Sequence, residues 1–121
     1  MGKDVTVAPV GVIGLGSMGM GTALALLDAG IDVIGCDVSE HARQRFVDAG
    51  GRVEQTPAAV ARACDVVLLL VVNSQQVDGV LFGDGGVVEA LHKGGLVIQC
   101  ATVAPSYVRG LGERLTALGF G

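Results

Sequence analysis

Between an apolar run that closes at Ile13 and a helical stripe that opens at Met20, the chain reads Gly14-Leu15-Gly16-Ser17-Met18-Gly19. A G-x-G-x-x-G that joins a strand to a helix constrains the fold more than any other feature here, because each glycine has its own steric task. Gly14 permits a tight turn, Gly16 leaves no Cβ in the way of a pyrophosphate, and Gly19 lets helix and strand pack closely. The helix start then offers N–H groups and a partial positive charge to an anion. Eighteen residues after Gly19, at the end of the next apolar run, stands Asp37, where a carboxylate can accept hydrogen bonds from ribose hydroxyls. In a chain with 20 glycines among 121 residues, such a loop alone could be turn chemistry. The preceding strand, the following helix and the acid at this distance together point to a dinucleotide.

The remaining sequence reads as a βαβ series punctuated by glycine turns. A first strand is expected over residues 7–13, followed by a helix whose buried stripe is Met20, Ala23, Leu24 and Leu27 and which stops at Gly30. A second strand over 31–36 ends at Asp37. Ser39 then caps a helix bearing Ala42, Phe46 and Ala49, closed by Gly50 and Gly51. Residues 52–54 fit a short edge strand, and Thr56 and Pro57 open a helix running to about Ala63. The continuous run 66–72 suits a central parallel strand covered on both faces. Asn73 ends it, and a helix through Val77, Val80 and Leu81 breaks at Gly83-Asp84-Gly85-Gly86. A short helix carries Val87, Val88 and Leu91, and residues 96–100 form a fifth strand. Pro105 opens the last helix, with the stripe Val108, Leu111, Leu115 and Leu118 and a stop at Gly119. A sixth strand would begin at Phe120-Gly121. The fold class expected is α/β: a doubly wound parallel sheet of Rossmann type, one domain over residues 1–121, truncated before its sixth strand.

Charge and composition exclude several partners. Eight basic against twelve acidic residues give a net charge of -4 without a basic cluster, a poor match for nucleic acid or an anionic membrane. The longest apolar run, 66–72, falls far short of the roughly 20 residues that span a bilayer. The amino terminus has no basic segment followed by a long apolar one, so no secretory signal is expected and the chain is placed in the cytoplasm. Met1, Gly2 and Thr6 fit the myristoylation pattern, on too few specified residues to carry an expectation. Cys36, Cys64 and Cys100, odd in number and without C-x-x-C spacing, read as reduced thiols. His41 and His92 have no cysteine or carboxylate at nucleophile or metal spacing, so neither is given chemistry and no metal is expected.

Asp37 favours NAD over NADP, because a 2′-phosphate facing a carboxylate is repelled unless an arginine neutralises it. Val38 and Ser39 are not basic; Arg43, one helical turn on, could reach back and keeps NADP open. Ligands of open α/β sheets lie outside the carboxyl ends of the strands, which brings in Val72 and Asn73 after the fourth strand and Ala101, Thr102 and Val103 after the fifth. By residue type alone, Asn73 and Thr102 divide evenly between helix cap and cofactor contact.

Taken together, GVIGLGSMGMGTALALLDAG (11–30), VVNSQQVDGVLFGDGGV (71–87) and VIQCATVAP (97–105) are similar to the amino-terminal half of the β-hydroxyacid dehydrogenase family, and in particular to its L-threonate-oxidising branch. The likeness spans nearly the whole chain. It implies NAD-dependent hydride transfer from a short hydroxy acid, in that branch L-threonate to 2-oxo-tetronate. It assigns Gly14, Leu15, Gly16, Ser17, Met18 and Gly19 to the pyrophosphate, Asp37 to the ribose, Val72 and Asn73 to the cofactor's side and Thr102 to the nicotinamide ribose. Many relatives carry Ser-Thr where this chain has Ala101-Thr102, so only the threonine is carried over. The family's DAPVSGG-like substrate segment and later general acid/base lysine do not occur in these residues, and neither Lys3 nor Lys93 matches the lysine. No catalytic residue is therefore assigned, and this chain alone is expected to be inactive. A sheet edge left open beyond the fifth strand leads to the expectation of a homo-oligomer. Other readings stay open: a non-catalytic NAD(H)-binding or interaction module, or a member acting as 3-hydroxyisobutyrate dehydrogenase or tartronate semialdehyde reductase. An S-adenosylmethionine-dependent methyltransferase has a superficially similar loop and acid, but the glycine spacing and helix start speak against it.

Overall fold

The computed structural model describes residues 9–71, 73–92, 94–100 and 105–121. Strands β1 (Val10–Ile13), β2 (Val33–Cys36), β3 (Arg52–Val53), β4 (Val66–Leu69) and β5 (Leu96–Gln99) alternate with helices α1 (Ser17–Asp28), α2 (Glu40–Asp48), α3 (Pro57–Ala63), α4 (Ser74–Phe82) and α5 (Pro105–Ala117). A short 3-10 helix, Val87–Glu89, follows α4. All strand pairs are parallel and the spatial order is β3-β2-β1-β4-β5. The chain thus winds outward from β1 in one direction and then resumes on its other side, which puts the switch point between β1 and β4. Ile13 is level with both Cys36 and Leu69, and Leu69 with Gln99. Four strands therefore end flush at one rim.

Alternation along the strands divides the core between the two sheet faces. Val12, Leu15, Met20, Ala23, Val33 and Phe46 pack together under α1 and α2. Ile13, Ile34, Val67 and Leu69 point the other way, into a larger cluster with Val60, Val77, Leu81, Leu111 and Leu115 from α3, α4 and α5. The helix boundaries follow local chemistry. Ser39 and Thr56 accept the N–H of Ala42 and Ala59, Pro57 stands in the first helical turn, and Gly30, Gly50 and Gly119 take positive φ past helix ends.

Three expectations need correction. The strands are shorter than their apolar runs. Ile31 stays out of β2 because its N–H closes the end of α1 on Leu26 O at 3.0 Å, and β4 stops at Leu69, after which Leu70 N–H still reaches β1, on Ile13 O at 2.8 Å. The covering of β4 on both faces is incomplete: Val67 and Leu69 are buried but Val66 and Leu68 are half-buried, and on β5 Leu96 and Ile98 are 42% and 41% exposed. Of the α5 stripe, Leu111 and Leu115 are buried while Val108 and Leu118 are exposed. At the chain's last residue, Gly121 N–H bonds Gly95 O at 2.8 Å and Gly121 O accepts Val97 N–H at 3.0 Å, the bonding of a parallel pair on the outer side of β5.

What seats α5 beside its two leucines is polar. Tyr107 donates its hydroxyl to Asp78 of α4 at 2.6 Å, Arg114 reaches the same carboxylate at 2.6 Å, and the Arg114 guanidinium lies 4.2 Å from the Phe82 ring centre. These two hydrogen bonds, Tyr107's first, hold the Asp78 carboxyl below its ordinary value. Burial, reinforced by Asp78, pushes Tyr107 up to about 12. A depressed folded value for an acid means stability that is present above its ordinary range and lost as pH falls through the folded value. Tyr107→Phe should therefore flatten the acid limb of the stability curve, read as melting temperature between about pH 2 and pH 6. An unchanged acid limb would show that the Tyr107 bond does not hold Asp78 in solution.

Among the described residues no helix is long and apolar enough to cross a membrane. Cys36, Cys64 and Cys100 are unpaired thiols, and burial pushes Cys64 up to about 11, which keeps it protonated and unreactive.

Candidate functional site

The loop between β1 and α1 lies on the rim at the switch point. Gly14 has φ +103, the left-handed region open to glycine. Its N–H is bonded to Cys36 O at 2.8 Å, and a Cβ there would stand 2.5 Å from Leu70 O. Gly14 is thus fitted among the ends of β1, β2 and β4. Gly19 is tighter still: its Cβ would come within 1.7 Å of Gly14 O. Gly16 differs from both. It is exposed, is the N-cap of α1, and a Cβ there would meet nothing within 4 Å. The open volume lies where the helix begins, without a side-chain cap and without an acid in the first turn. The first helical bond is Met20 N–H to Gly16 O at 2.7 Å, so the N–H groups of the preceding turn point out of the helix end.

Asp37 follows β2 and ties two loops together. One carboxylate oxygen accepts Leu15 N–H at 2.6 Å and the other accepts Ser39 N–H at 2.8 Å, while Arg43 Nη1 donates to the Asp37 main-chain oxygen at 2.7 Å. A carboxylate oxygen accepts more than one bond, so each can still take a ribose hydroxyl. Nothing in the spacing of 15 and 37 announces the link to Leu15.

A cleft of about 400 Å³ opens here, within the size range of small-ligand sites. Its lining brings together Gly14 and Gly16, Cys36, Asp37 and Val38, and Leu70 and Val71, from the end of β2 and the loops after β1, β2 and β4. It also includes Gln55, Pro57, Gln76, Gly79 and Val80, none of which was read as a site residue. Pro57 carried a helix-start signal and Val80 a core-stripe signal; only the rule that the loops at the strands' carboxyl ends face ligand, extended to β3, would have found the first of them.

The other predicted residues divide. Leu15 is 1% exposed and serves the core, with its N–H occupied by Asp37. Ser17 and Met18 are exposed on the first turn of α1, Met18 at 70%, and Gly19 is buried against Gly14. Asn73 is the N-cap of α4, accepting Gln76 N–H at 2.9 Å, which is the capping half of its two readings. Val72 and Thr102 lie outside the described residues, as do Lys3, Lys93 and Ala101. His92, to which the sequence assigns no chemistry, pairs with Asp65 at 2.5 Å; both precede strands, at the end of the sheet away from the cleft. The titratable groups in the cleft lining are Cys36 and Asp37, and burial first, then Asp37, raises the Cys36 thiol.

The residues present suit a dinucleotide on this geometry alone: an open cradle at Gly16, a helix start, and an acid 2.6 Å from the loop's own N–H. Comparison with known proteins agrees. Residues 9–121 match the family model described as the NAD binding domain of 6-phosphogluconate dehydrogenase. The chain is 51% identical over 110 residues to L-threonate dehydrogenase of Cupriavidus necator, covering 91% of this chain and 37% of that relative. It is 33% identical over 111 residues to mitochondrial 3-hydroxyisobutyrate dehydrogenase of Mus musculus, 92% of this chain and 33% of that one. The crystal structure of 3-hydroxyisobutyrate dehydrogenase from Salmonella typhimurium superposes with a TM-score of 0.86 at 33% identity, over 93% of this chain and 39% of that chain.

Proposed function

This chain belongs to the family of NAD-binding domains of 6-phosphogluconate dehydrogenase, and from that membership we propose that it supplies the cofactor half of an NAD-dependent oxidoreductase whose substrate is L-threonate. The NAD-binding domain of a hydroxyacid dehydrogenase is the coarser statement, and it holds for the chain as it stands. The substrate is the finer one. It is supported by the 51% identity to an L-threonate dehydrogenase, while the chain spans little more than a third of that relative.

The observation that carries the reading is the joined loop: Asp37 accepting Leu15 N–H beside an open Gly16. When bound, NAD accepts hydride at its nicotinamide ring. The chain's own residues hold it. Gly14, Gly16 and the first turn of α1 at Ser17, Met18 and Gly19 receive the pyrophosphate, with Leu15 keeping the turn in shape. Asp37 takes the adenosine ribose, and the family resemblance adds Val72, Asn73 and Thr102 as cofactor contacts. Neither titratable group in the cleft lining is assigned as base for the substrate hydroxyl: burial raises the Cys36 thiol, and Asp37, held by Leu15 and Ser39 N–H, faces the adenosine ribose. The chain alone should bind NAD without turnover. The exposed Leu96 and Ile98 of β5 favour self-association or a covering partner.

Two measurements test this. Titration of the chain with NADH should saturate, and Asp37→Ala should weaken NADH by about tenfold or more, and NADPH less, since the lost ribose bonds serve one and the lost repulsion helps the other. Equal weakening of both would sink the ribose assignment. For the substrate, the uninterrupted reading frame taken from source DNA should yield a protein that forms NADH with L-threonate faster than with 3-hydroxyisobutyrate; the reverse order would replace L-threonate.

A further inference from the structure

Helix α4 presents two flanks with different neighbours. Gln76, Gly79 and Val80 line the cleft. Ser74, Asp78 and Phe82, spaced i, i+4 and i+8 on the other flank, meet α5. The Tyr107 hydroxyl lies 2.6 Å from the Asp78 carboxylate and 3.3 Å from Ser74 O. Seven residues on, Arg114 reaches the same carboxylate oxygen at 2.6 Å and lies over the Phe82 ring. Helix α4 is thus a wall shared by the cleft and α5, while none of the described α5 residues lines the cleft.

Such a wall has to be held from outside. A helix of nine residues is too short to be stable by itself, and Gly79 in its interior weakens it further. A Cβ at Gly79 would meet nothing within 4 Å, so no close packing requires glycine there and the helix is left bare where it borders the cleft. Val77 and Leu81 anchor one line of α4 to the core. Rotation about that line would carry Gln76 and Val80 toward or away from a ligand, and α5 opposes it from the flank. The Arg114 pair is half exposed on both sides and contributes little by itself. The Tyr107 bond is part-buried and ends on a charged oxygen, which makes it the stronger of the two. Burial, reinforced by Asp78, keeps the phenol protonated and able to donate.

We propose that Tyr107, acting through Asp78, is a positioning residue for nucleotide binding: from outside the cleft it sets where α4 stands, and with it the surface that Gln76, Gly79 and Val80 offer to the adenosine half of a dinucleotide. The inference rests on the dinucleotide reading above and adds to it a residue that does not line the cleft.

The experiment is a mutant cycle on the full chain. ADP, which carries the adenosine half alone, and NADH are titrated calorimetrically into the unmodified chain, Y107F, D78N, D78A and Y107F/D78A, well below the melting temperature of each. Y107F and D78A should each weaken both ligands about fivefold, and the double variant no more than either, because all three remove one bond. Asn at 78 keeps an oxygen for the Tyr107 hydroxyl, so D78N should stay within about twofold of the unmodified chain. A merely structural role lowers the melting temperature and leaves the affinity of the folded chain where it was. If D78A does not fold, Y107F against D78N makes the same comparison. Affinities within about twofold of the unmodified chain in folded Y107F, additive losses, or a D78N as weak as D78A overturn the proposal and leave the dinucleotide reading standing. Failure of the unmodified chain to bind either ligand overturns the dinucleotide reading and this inference with it.

Discussion

Gly16→Val should abolish measurable NADH binding while leaving the chain folded. The backbone at Gly16, with φ -71 and ψ -166, is one that any residue adopts, and the space about its Cβ is empty to 4 Å. The folded state therefore loses little, a few tenths to about 1 kcal/mol for an apolar branched residue at a helix N-cap. The ligand loses much more. Branched carbons would stand over the start of α1, where the pyrophosphate must approach the main chain, and neither the helix end nor the phosphate can give way. The expected loss is at least about a hundredfold in affinity, roughly 3 kcal/mol. Fluorescence titration with NADH, beside a thermal melt of the same sample, checks both halves. Full affinity would make the loop a turn and nothing more.

Gly19→Ala, three residues on, should do the reverse and act on the fold. Its Cβ would lie 1.7 Å from Gly14 O and 2.8 Å from the Gly14 carbonyl carbon. Both are main-chain atoms, and Gly14 is itself fixed by the 2.8 Å bond to Cys36 O and by its close fit to Leu70 O. Relief requires α1 to move off the sheet, parting Met20 and Ala23 from Val12 and Val33. A single methyl group should remove about 3–5 kcal/mol, a large share of the roughly 5–15 kcal/mol that a domain has. The melting temperature should fall by at least about 10 °C, or the chain should fail to accumulate as a folded species. A melt within about 2 °C of the unmodified chain would show that helix and strand have slack that the structure denies.

The contrast between these neighbours shows what a sequence can disclose. The motif names both glycines, and the reasons for each follow from the strand before and the helix after. Caps at Ser39 and Thr56, Pro57 at a helix start and the glycine break after α4 were legible for the same reason: the groups involved lie within a few residues of one another. The α5 stripe was only half right. Helical spacing identifies a face but not how far along it the sheet extends, and Val108 and Leu118 fall beyond the contact. Strand ends were overcalled because an apolar run continues past the paired residues of the strand, as at Leu70, which keeps a single bond to β1, and Val71, and both line the cleft. His92 with Asp65, Tyr107 with Asp78 and Leu15 with Asp37 are partners 27, 29 and 22 residues apart. Such pairs are set by how strands and helices are laid side by side, and single residues carry no mark of them. Gln55 and Gln76 reached the cleft unannounced on the same account.

The bonds from Asp37 to Leu15 and Ser39 have a consequence for when conformational freedom is lost. A flexible glycine loop that closes only around its ligand gives up its backbone entropy at the moment of binding, and that loss is subtracted from affinity. Here the loop is already fastened to the neighbouring turn by the acid that will face the ribose, with Gly14 locked to β2 behind it. Most of the ordering of the phosphate and ribose stations takes place during folding, as one unit, so a nucleotide encounters a surface with little freedom left to surrender.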